Sequence, residues 1–200
     1  MPCKACHKQP ETRPPRVLFW DTENSTKHGA YYGKKWETSI QWREEDWYFH
    51  CYSYAWDDGK VQVVQSFNEK KLVLGMWKLL NEADVVVAHN KTFDLGHFYM
   101  KCLKYGLPPP SNFKSICTLR MYRNLCKGGF ESNALGDLGV ELGFGDKKEL
   151  ERGFWRKVEA RDTKAIKKMI AYAGHDIVLL RKVYKVIEPF YPPLKLKIIK

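Results

Sequence analysis

Short apolar runs separated by polar stretches dominate the first part of the chain and predict the strands of a sheet. Two of them, Val17 to Trp20 and Val85 to Val87, are continuous apolar runs typical of buried central strands. Two others flank the turn signal Asp57-Asp58-Gly59 and predict a β-hairpin. The predicted strands are residues 17–20, 46–56, 61–66, 84–89 and 113–117.

Apolar residues at helical spacing fill the intervals and most of the second half. Residues 69–82 and 93–105 predict helices, the second ending at Gly106 before a run of prolines. From residue 118 onward the pattern is helical, with glycine-containing interruptions at 128–129 and 143–146. The last helix is expected over residues 162–187, with a break near Gly174 as an open alternative, and residues 24–46 predict a long loop or an irregular hairpin.

This order of elements predicts an α/β fold, a mixed five-stranded sheet flanked by helices on both faces. No internal repeat or linker divides the chain. We therefore expect one domain over residues 17–190, a flexible N-terminal arm over 1–16 and a basic C-terminal tail over 191–200.

Composition narrows the class of protein. The chain has 200 residues, of which 44% are hydrophobic, so it can bury a core. It shows no apolar run of membrane-spanning length and no signal peptide, so we expect a cytoplasmic protein (host cytoplasm, if viral) with mostly reduced cysteines. A formal net charge of +11 favours a polyanionic partner such as nucleic acid.

Acidic residues in this basic chain stand where the predicted elements meet. Asp21 and Glu23 are two apart at the end of the first strand, so they project from the same face. Asp94 follows the second buried strand, and Asp176 lies on the last helix with Tyr172 one turn earlier. Four converging carboxylates would repel one another, and divalent cations would relieve that repulsion. Because all the ligands are oxygens, the pattern favours Mg²⁺ or Mn²⁺ over zinc.

These acidic segments resemble the motifs of the DEDD superfamily of 3′→5′ exonucleases, which has an RNase H-like fold. The third segment carries Tyr and not His, so the chain is similar to the DEDDy branch, which includes proofreading domains of family A DNA polymerases and RNase D. The resemblance covers residues 17–188. Its motifs are Asp21-Thr22-Glu23, the segment His89 to Leu95, the segment Tyr172 to Asp176, and a leucine- and glycine-containing helix over residues 132–143.

The resemblance implies roles for the acids and two divalent cations. Asp21, Glu23 and Asp176 would hold one cation beside the attacking water, and Asp21 and Asp94 would hold the second near the leaving 3′ oxygen. Tyr172 would position the water and help to deprotonate it, within the limit set by a phenol pKa near 10.

Further residues of these motifs are implied to contact the substrate. Thr22, Asn90 and Phe93 would bind it, with Asn90 and Phe93 helping to seat either the terminal nucleotide or the segment that bears Asp94. Many relatives carry an acid where this chain has Cys117.

The function implied is a stand-alone 3′→5′ exonuclease that releases nucleoside monophosphates. Its partner would be a nucleic acid with a free 3′ end, preferably single-stranded, with replication or repair proteins acting in trans by analogy. We favour single-stranded DNA because the second motif is closest to polymerase proofreading domains. The alternatives are an exoribonuclease of RNase D type, a structure-specific endonuclease or RNase H, and a non-catalytic nucleic-acid-binding module on the same fold.

Four other features have competing interpretations. Cys3, Cys6 and His7 match haem-attachment spacing or half of a zinc site, but an exposed arm is the simplest interpretation. The aromatic and basic stretch from Tyr31 to Trp42 would either stack on unpaired bases or pack on the core. The tail at 194–200 would either contact phosphates or form an edge strand. His89 and His175 are expected to be structural and at the edge of the site, respectively.

Overall fold

The computed structural model describes residues 13–25, 28–30, 42–127, 132–145 and 150–192. These residues contain seven strands, six α-helices and a terminal 3₁₀ helix. The strands are β1 (Val17–Asn24), β2 (His28–Ala30), β3 (Trp42–Glu45), β4 (Phe49–Trp56), β5 (Gln62–Gln65), β6 (Val85–Ala88) and β7 (Lys114–Cys117). The helices are α1 (Glu69–Glu82), α2 (Lys91–Tyr105), α3 (Thr118–Cys126), α4 (Leu135–Glu141), α5 (Phe154–Glu159), α6 (Thr163–Ile187) and the 3₁₀ turn Glu188–Phe190.

The predicted mixed five-stranded sheet is confirmed. Its strand order is β5-β4-β1-β6-β7, with β1, β6 and β7 parallel and β4 and β5 antiparallel to their neighbours. The central position of β1 follows from its continuous apolar start, which pairs with Val85, Val86 and Val87 of β6. The parallel strands all end at one edge of the sheet, and β1 carries Asp21 and Glu23 to that edge.

Helices cover both faces of the sheet, as predicted, because side chains of β1 alternate between the faces. Leu18 and Trp20 are fully buried against α1 and α2, whereas Phe19 packs against α6. On the α6 face, Ile177 and Tyr184 complete the cluster around Phe19. The helix α6 therefore crosses the sheet directly over the strand that carries the first two acids.

Helix α6 is continuous, so the break considered near Gly174 does not occur. A helical glycine costs about 1 kcal/mol relative to alanine. That cost does not break the helix, and packing does not require a glycine there, because a Cβ on Gly174 would lie 3.4 Å from Val63 Cγ2 of β5, an ordinary van der Waals contact. The helix begins where predicted because the carboxylate of Asp162 accepts the amide of Ala165 at 2.7 Å.

Two other element boundaries differ from the predictions. Helix α2 begins at Lys91 and not at residue 93, because Asn90 takes a left-handed conformation (φ 59°) that turns the chain directly into the helix. In the polar stretch 24–46, β2 and β3 pair antiparallel, which favours the hairpin over the loop.

A buried ion pair joins the two helices on the face opposite α6. Lys101 of α2 is 2% exposed, and its Nζ lies 2.7 Å from Oε1 of Glu69 on α1. The same ammonium donates to the backbone carbonyl of Trp47 at 2.5 Å, and the Tyr105 hydroxyl donates to Glu69 Oε2 at 2.7 Å. Lys101, Glu69 and Tyr105 thus satisfy one another, and α2 is fixed relative to α1 and the segment before β4.

The ends of the predicted domain are anchored further than expected. Arg13, assigned to the flexible arm, donates to both carboxylate oxygens of Asp84, and the amide of Arg16 donates to the same side chain. At the other end, the Tyr191 hydroxyl donates to the Met121 carbonyl at 2.5 Å. Among the described residues, no helix is long and apolar enough to cross a membrane. Cys3, Cys6 and His7, residues 31–41 and the tail from 193 lie outside the described residues.

Candidate active site

Three carboxylates meet where β1 passes beneath α6. Asp21 and Glu23 point to the same face of β1, and Asp176 approaches them from α6. One ligand oxygen from each of the three lies within 4.8 Å of the others. All three side chains are half-buried, so the cluster is packed against protein and still reachable from solvent. The period-two spacing predicted that Asp21 and Glu23 share a face of the strand, and the structure brings Asp176 next to them.

Asp94 joins this end of the sheet from the other side. It lies in the first turn of α2, is 2% exposed, and its Oδ1 accepts the hydroxyl of Thr22 at 2.7 Å and the Thr22 amide at 3.2 Å. The charge of Asp94 raises the pKa of both Asp21 and Glu23, so the fourth acid is electrostatically part of the group. It is not one of the three acids whose oxygens lie within 4.8 Å of one another.

Burial and mutual repulsion make ionisation of these acids unfavourable. Desolvation and the neighbouring carboxylates raise the pKa of Asp21 well above its usual value and that of Glu23 to about 8. Burial raises the pKa of Asp94 to about 7, even though the hydrogen bonds from Thr22 oppose the rise. Carboxylates so placed are the ligand set that suits hard divalent cations, whose charge would remove the repulsion.

Tyr172 adds a hydroxyl to the cluster. It lies one turn before Asp176 on α6 and forms a hydrogen bond with that carboxylate. Burial, and then the charges of Asp176, Glu23 and Asp21, raise the pKa of Tyr172 above its usual range. The phenol therefore stays protonated near neutral pH. This favours a role for Tyr172 in orienting a water or phosphate oxygen, and makes the predicted help in deprotonating water less favourable.

The predicted substrate-binding residues differ in what the structure offers a ligand. Asn90 is exposed and precedes α2, and Phe93 is 48% exposed, with its ring centroid 4.2 Å from that of His97. The Thr22 side chain is buried, and its hydroxyl donates to Asp94. The Thr22 hydroxyl thus positions an acid, and its contact with a substrate stays a prediction.

The two histidines of the motifs take the places expected. Both ring nitrogens of His89 are engaged, one with the Thr118 hydroxyl at 2.9 Å and one with the Asn133 carbonyl at 2.8 Å. His175 lies at the edge of the cluster, with Nδ1 4.0 Å from Asp176 Oδ1. His89 is thus structural, joining the second motif to the first residue of α3 and to the segment before α4.

Sequence reasoning missed two further contributions to the site. Lys91 Nζ donates to the Ser115 hydroxyl at 2.7 Å and to the Ser115 carbonyl at 3.0 Å, which fixes the second motif against β7. Residues 134–136, at the start of α4, face Tyr172, His175 and Asp176 across a cavity of about 120 Å³. The spacing of the α4 residues belonged to the resemblance, but nothing in the sequence indicated that they face Tyr172.

Comparisons with known proteins support the fold. No family model matches the sequence, and no curated protein matches it. Among solved structures, the chain is similar to a family B DNA polymerase from the hyperthermophilic archaeon Pyrobaculum calidifontis, with a TM-score of 0.67 and 15% sequence identity. The similarity covers 89% of this chain and 25% of the polymerase chain, so this chain spans about a quarter of that protein's length. At this identity the likeness concerns the fold, and it is consistent with the RNase H-like arrangement of the sheet.

Proposed function

We propose that this chain is a metal-dependent 3′→5′ exonuclease of the DEDDy type that releases nucleoside monophosphates. The observation that carries the proposal is the tight group of Asp21, Glu23 and Asp176, with Asp94 electrostatically coupled to it. A binding module would gain nothing from mutually repelling acids beside a phosphate backbone. The net charge of +11 and the fold-level similarity to a DNA polymerase add support for a nucleic-acid substrate.

The donor set fits two divalent cations, Mg²⁺ or Mn²⁺. Asp21, Glu23 and Asp176 would hold one, and Asp21 and Asp94 the other. When bound, the cations would supply charge stabilisation to the attacking and leaving oxygens of the phosphodiester. Since they need ionised ligands, and the pKa of Glu23 is about 8, we expect cation affinity and cleavage to rise with pH between 7 and 8.

The protein's own groups would orient the reactants. The Tyr172 hydroxyl, protonated and bonded to Asp176, can fix the position of a water or a phosphate oxygen beside the acids. Thr22 holds the Asp94 carboxylate through two hydrogen bonds, so that acid enters the site preorganised. The exposed Asn90 and Phe93 stand at the start of the helix that carries Asp94, where a terminal nucleotide would be seated.

Single-stranded DNA is the substrate we propose. An RNase D-type exoribonuclease would use the same acids, as would a structure-specific endonuclease. The hydrogen-bonded Tyr172 and Asp176 pair favours an exonuclease within this group, because the resemblance associates that pair with 3′→5′ digestion. Replication or repair proteins acting in trans are further partners that we propose by analogy.

The decisive experiment incubates 5′-labelled single-stranded DNA or RNA with the protein in Mg²⁺, Mn²⁺ or chelator. We expect a ladder that shortens from the 3′ end, requires the metal and disappears in Asp21→Asn. The matched control is Asp58→Asn, which makes the same chemical change at an exposed acid just beyond the far end of β4. It should digest like the wild type.

Each alternative gives a different result in this assay. Discrete internal cuts, or cutting of strands with blocked 3′ ends, would favour the endonuclease. Digestion of RNA alone would favour the exoribonuclease. Full-length strands under every metal condition, together with measurable strand binding, would leave the binding module and overturn the proposal.

A further inference from the structure

A cleft of about 540 Å³ opens at the β7 edge of the sheet, apart from the acid cluster. It is enclosed by β7, α3, the end of α6 and the 3₁₀ turn, and none of the four acids or Tyr172 lines it. Its floor is apolar, with Ile116, Met121 and the buried ring of Tyr184. The volume falls within the range of about 300–1,000 Å³ that is usual for small-molecule sites.

The rim of this cleft is basic. Lys114 and Arg120 are exposed there, and neither side chain has a hydrogen-bond or ion-pair partner among the described residues. The one acid that lines the cleft, Glu188, accepts the Tyr184 hydroxyl at 2.9 Å and is thus already engaged. An apolar floor with two unpaired cations at its rim complements a ligand with an anionic group on an apolar body.

The cleft is better suited to a compact ligand than to an added strand. Although β7 is an edge strand, Lys91 donates to the carbonyl of Ser115, so one of the few backbone groups on the free edge is already bonded. The strand has only four residues, which gives a peptide little edge to extend. A protein segment pairing with β7 is therefore the weaker interpretation.

The cleft also has a defined relation to the acids. Tyr184 follows Asp176 by eight residues on the continuous helix α6, which places it about 12 Å further along the helix axis. Cys117 also lines the cleft. It is the last residue of β7, so it lies at the carboxyl ends of the parallel strands, where β1 carries Asp21 and Glu23. A ligand in the cleft would thus lie within a few nucleotide lengths of the acid cluster, but on a separate surface.

We propose that this cleft is a second nucleotide-binding site, distinct from the acid cluster. Lys114 and Arg120 would pair with the phosphate, and the base would lie on the apolar floor beside Met121 and Tyr184. The same chemistry has two sources, a free mononucleotide or a non-terminal nucleotide of a strand whose 3′ end is at the acids. The inference does not require that the protein cleave nucleic acid.

The test measures binding without cleavage. The full-length Asp21→Asn protein, in chelator, is titrated by calorimetry with dAMP and separately with a 12-nucleotide single strand. In chelator the repelling acids offer a phosphate no attraction, so the part of the binding that depends on Lys114 and Arg120 reports on the cleft. The test variant is Lys114→Glu with Arg120→Glu. The matched control is Lys70→Glu with Lys78→Glu, which makes the same charge change at exposed positions on α1.

We expect the cleft double variant to bind dAMP at least tenfold more weakly, and the control to stay within twofold of the parent. Asn124→Trp, which would fill the cleft from its exposed wall without changing charge, should give the same loss. Weaker binding of the 12-mer with little dAMP binding in any protein would assign the site to a strand nucleotide. Equal affinities of the parent and both cleft variants for both ligands would overturn the proposal, whatever the cleavage assay shows.

Discussion

Replacing Glu23 with glutamine should stabilise the metal-free protein while removing its activity. In the folded protein the pKa of Glu23 is about 8, against an ordinary value of 4.5. The folded state therefore binds this proton more tightly than the unfolded state does. Consequently, the stability present at low pH is lost as the pH rises from about 4.5 through 8, and glutamine, which never ionises, avoids that loss.

The size of the effect follows from the same pKa. Each pKa unit is worth about 1.4 kcal/mol, so ionisation of Glu23 should cost the folded protein about 3 kcal/mol between pH 5 and pH 8. For a chain of this size, that corresponds to a fall of about 6–12 °C in the melting temperature. Glu23→Gln should therefore melt several degrees above wild type at pH 8 in chelator, and close to wild type at pH 5.

The assay is thermal or urea unfolding from pH 5 to 8, in chelator and then in Mg²⁺. Glu141→Gln is the matched control, because it makes the same change at an exposed position on α4 and should leave the pH profile of the wild type unaltered. Adding Mg²⁺ should stabilise wild type and the control, but Glu23→Gln much less. A wild-type stability that does not change over this pH range in chelator would refute the repulsive cluster.

The other expected outcomes concern neighbours of the acids and the buried ion pair. Tyr172→Phe should lower kcat about ten- to a hundredfold in the digestion of 5′-labelled strands, because the orienting hydroxyl is lost. Its affinity for the strand should stay within twofold of wild type. Thr22→Val should destabilise the protein by about 1 kcal/mol in urea unfolding and lower cleavage, since Asp94 loses its hydroxyl donor; full activity would contradict the positioning role. Lys101→Met should lower the free energy of unfolding by about 3–5 kcal/mol because it leaves the half-buried Glu69 carboxylate without its countercharge, and adding Glu69→Gln should recover part of that loss. Additive effects of the two substitutions would contradict the pair.

The sheet and its acids could be predicted because they depend on short-range periodicity. Alternation along β1 placed Asp21 and Glu23 on one face, and the four-residue spacing on α6 placed Tyr172 beside Asp176. The mixed sheet and the covering of both its faces followed from the order of strands and helices along the chain. These features need no knowledge of distant contacts.

What the sequence did not predict depends on contacts between distant segments. The sequence did not indicate that the Thr22 hydroxyl donates to Asp94, because this hydrogen bond joins residues 72 positions apart. The helix α6 continues through Gly174 with Ala173 and Ile177 buried in the core on either side, and local helix propensity does not contain that packing. Likewise, the cleft at the β7 edge is formed by residues of 114–124 and 184–192, which are distant in the sequence, so no local pattern predicts it.

The position of Asp176 on α6 has a consequence for biosynthesis. It follows Asp21 by 155 residues, and the three close acids come together only when this late helix has docked on the sheet. A ribosome-bound chain that has emerged only as far as α5 would lack both Asp176 and Tyr172 and would be inert toward nearby RNA or DNA. Under the proposed function, the order of synthesis would delay cleavage until the fold is nearly complete.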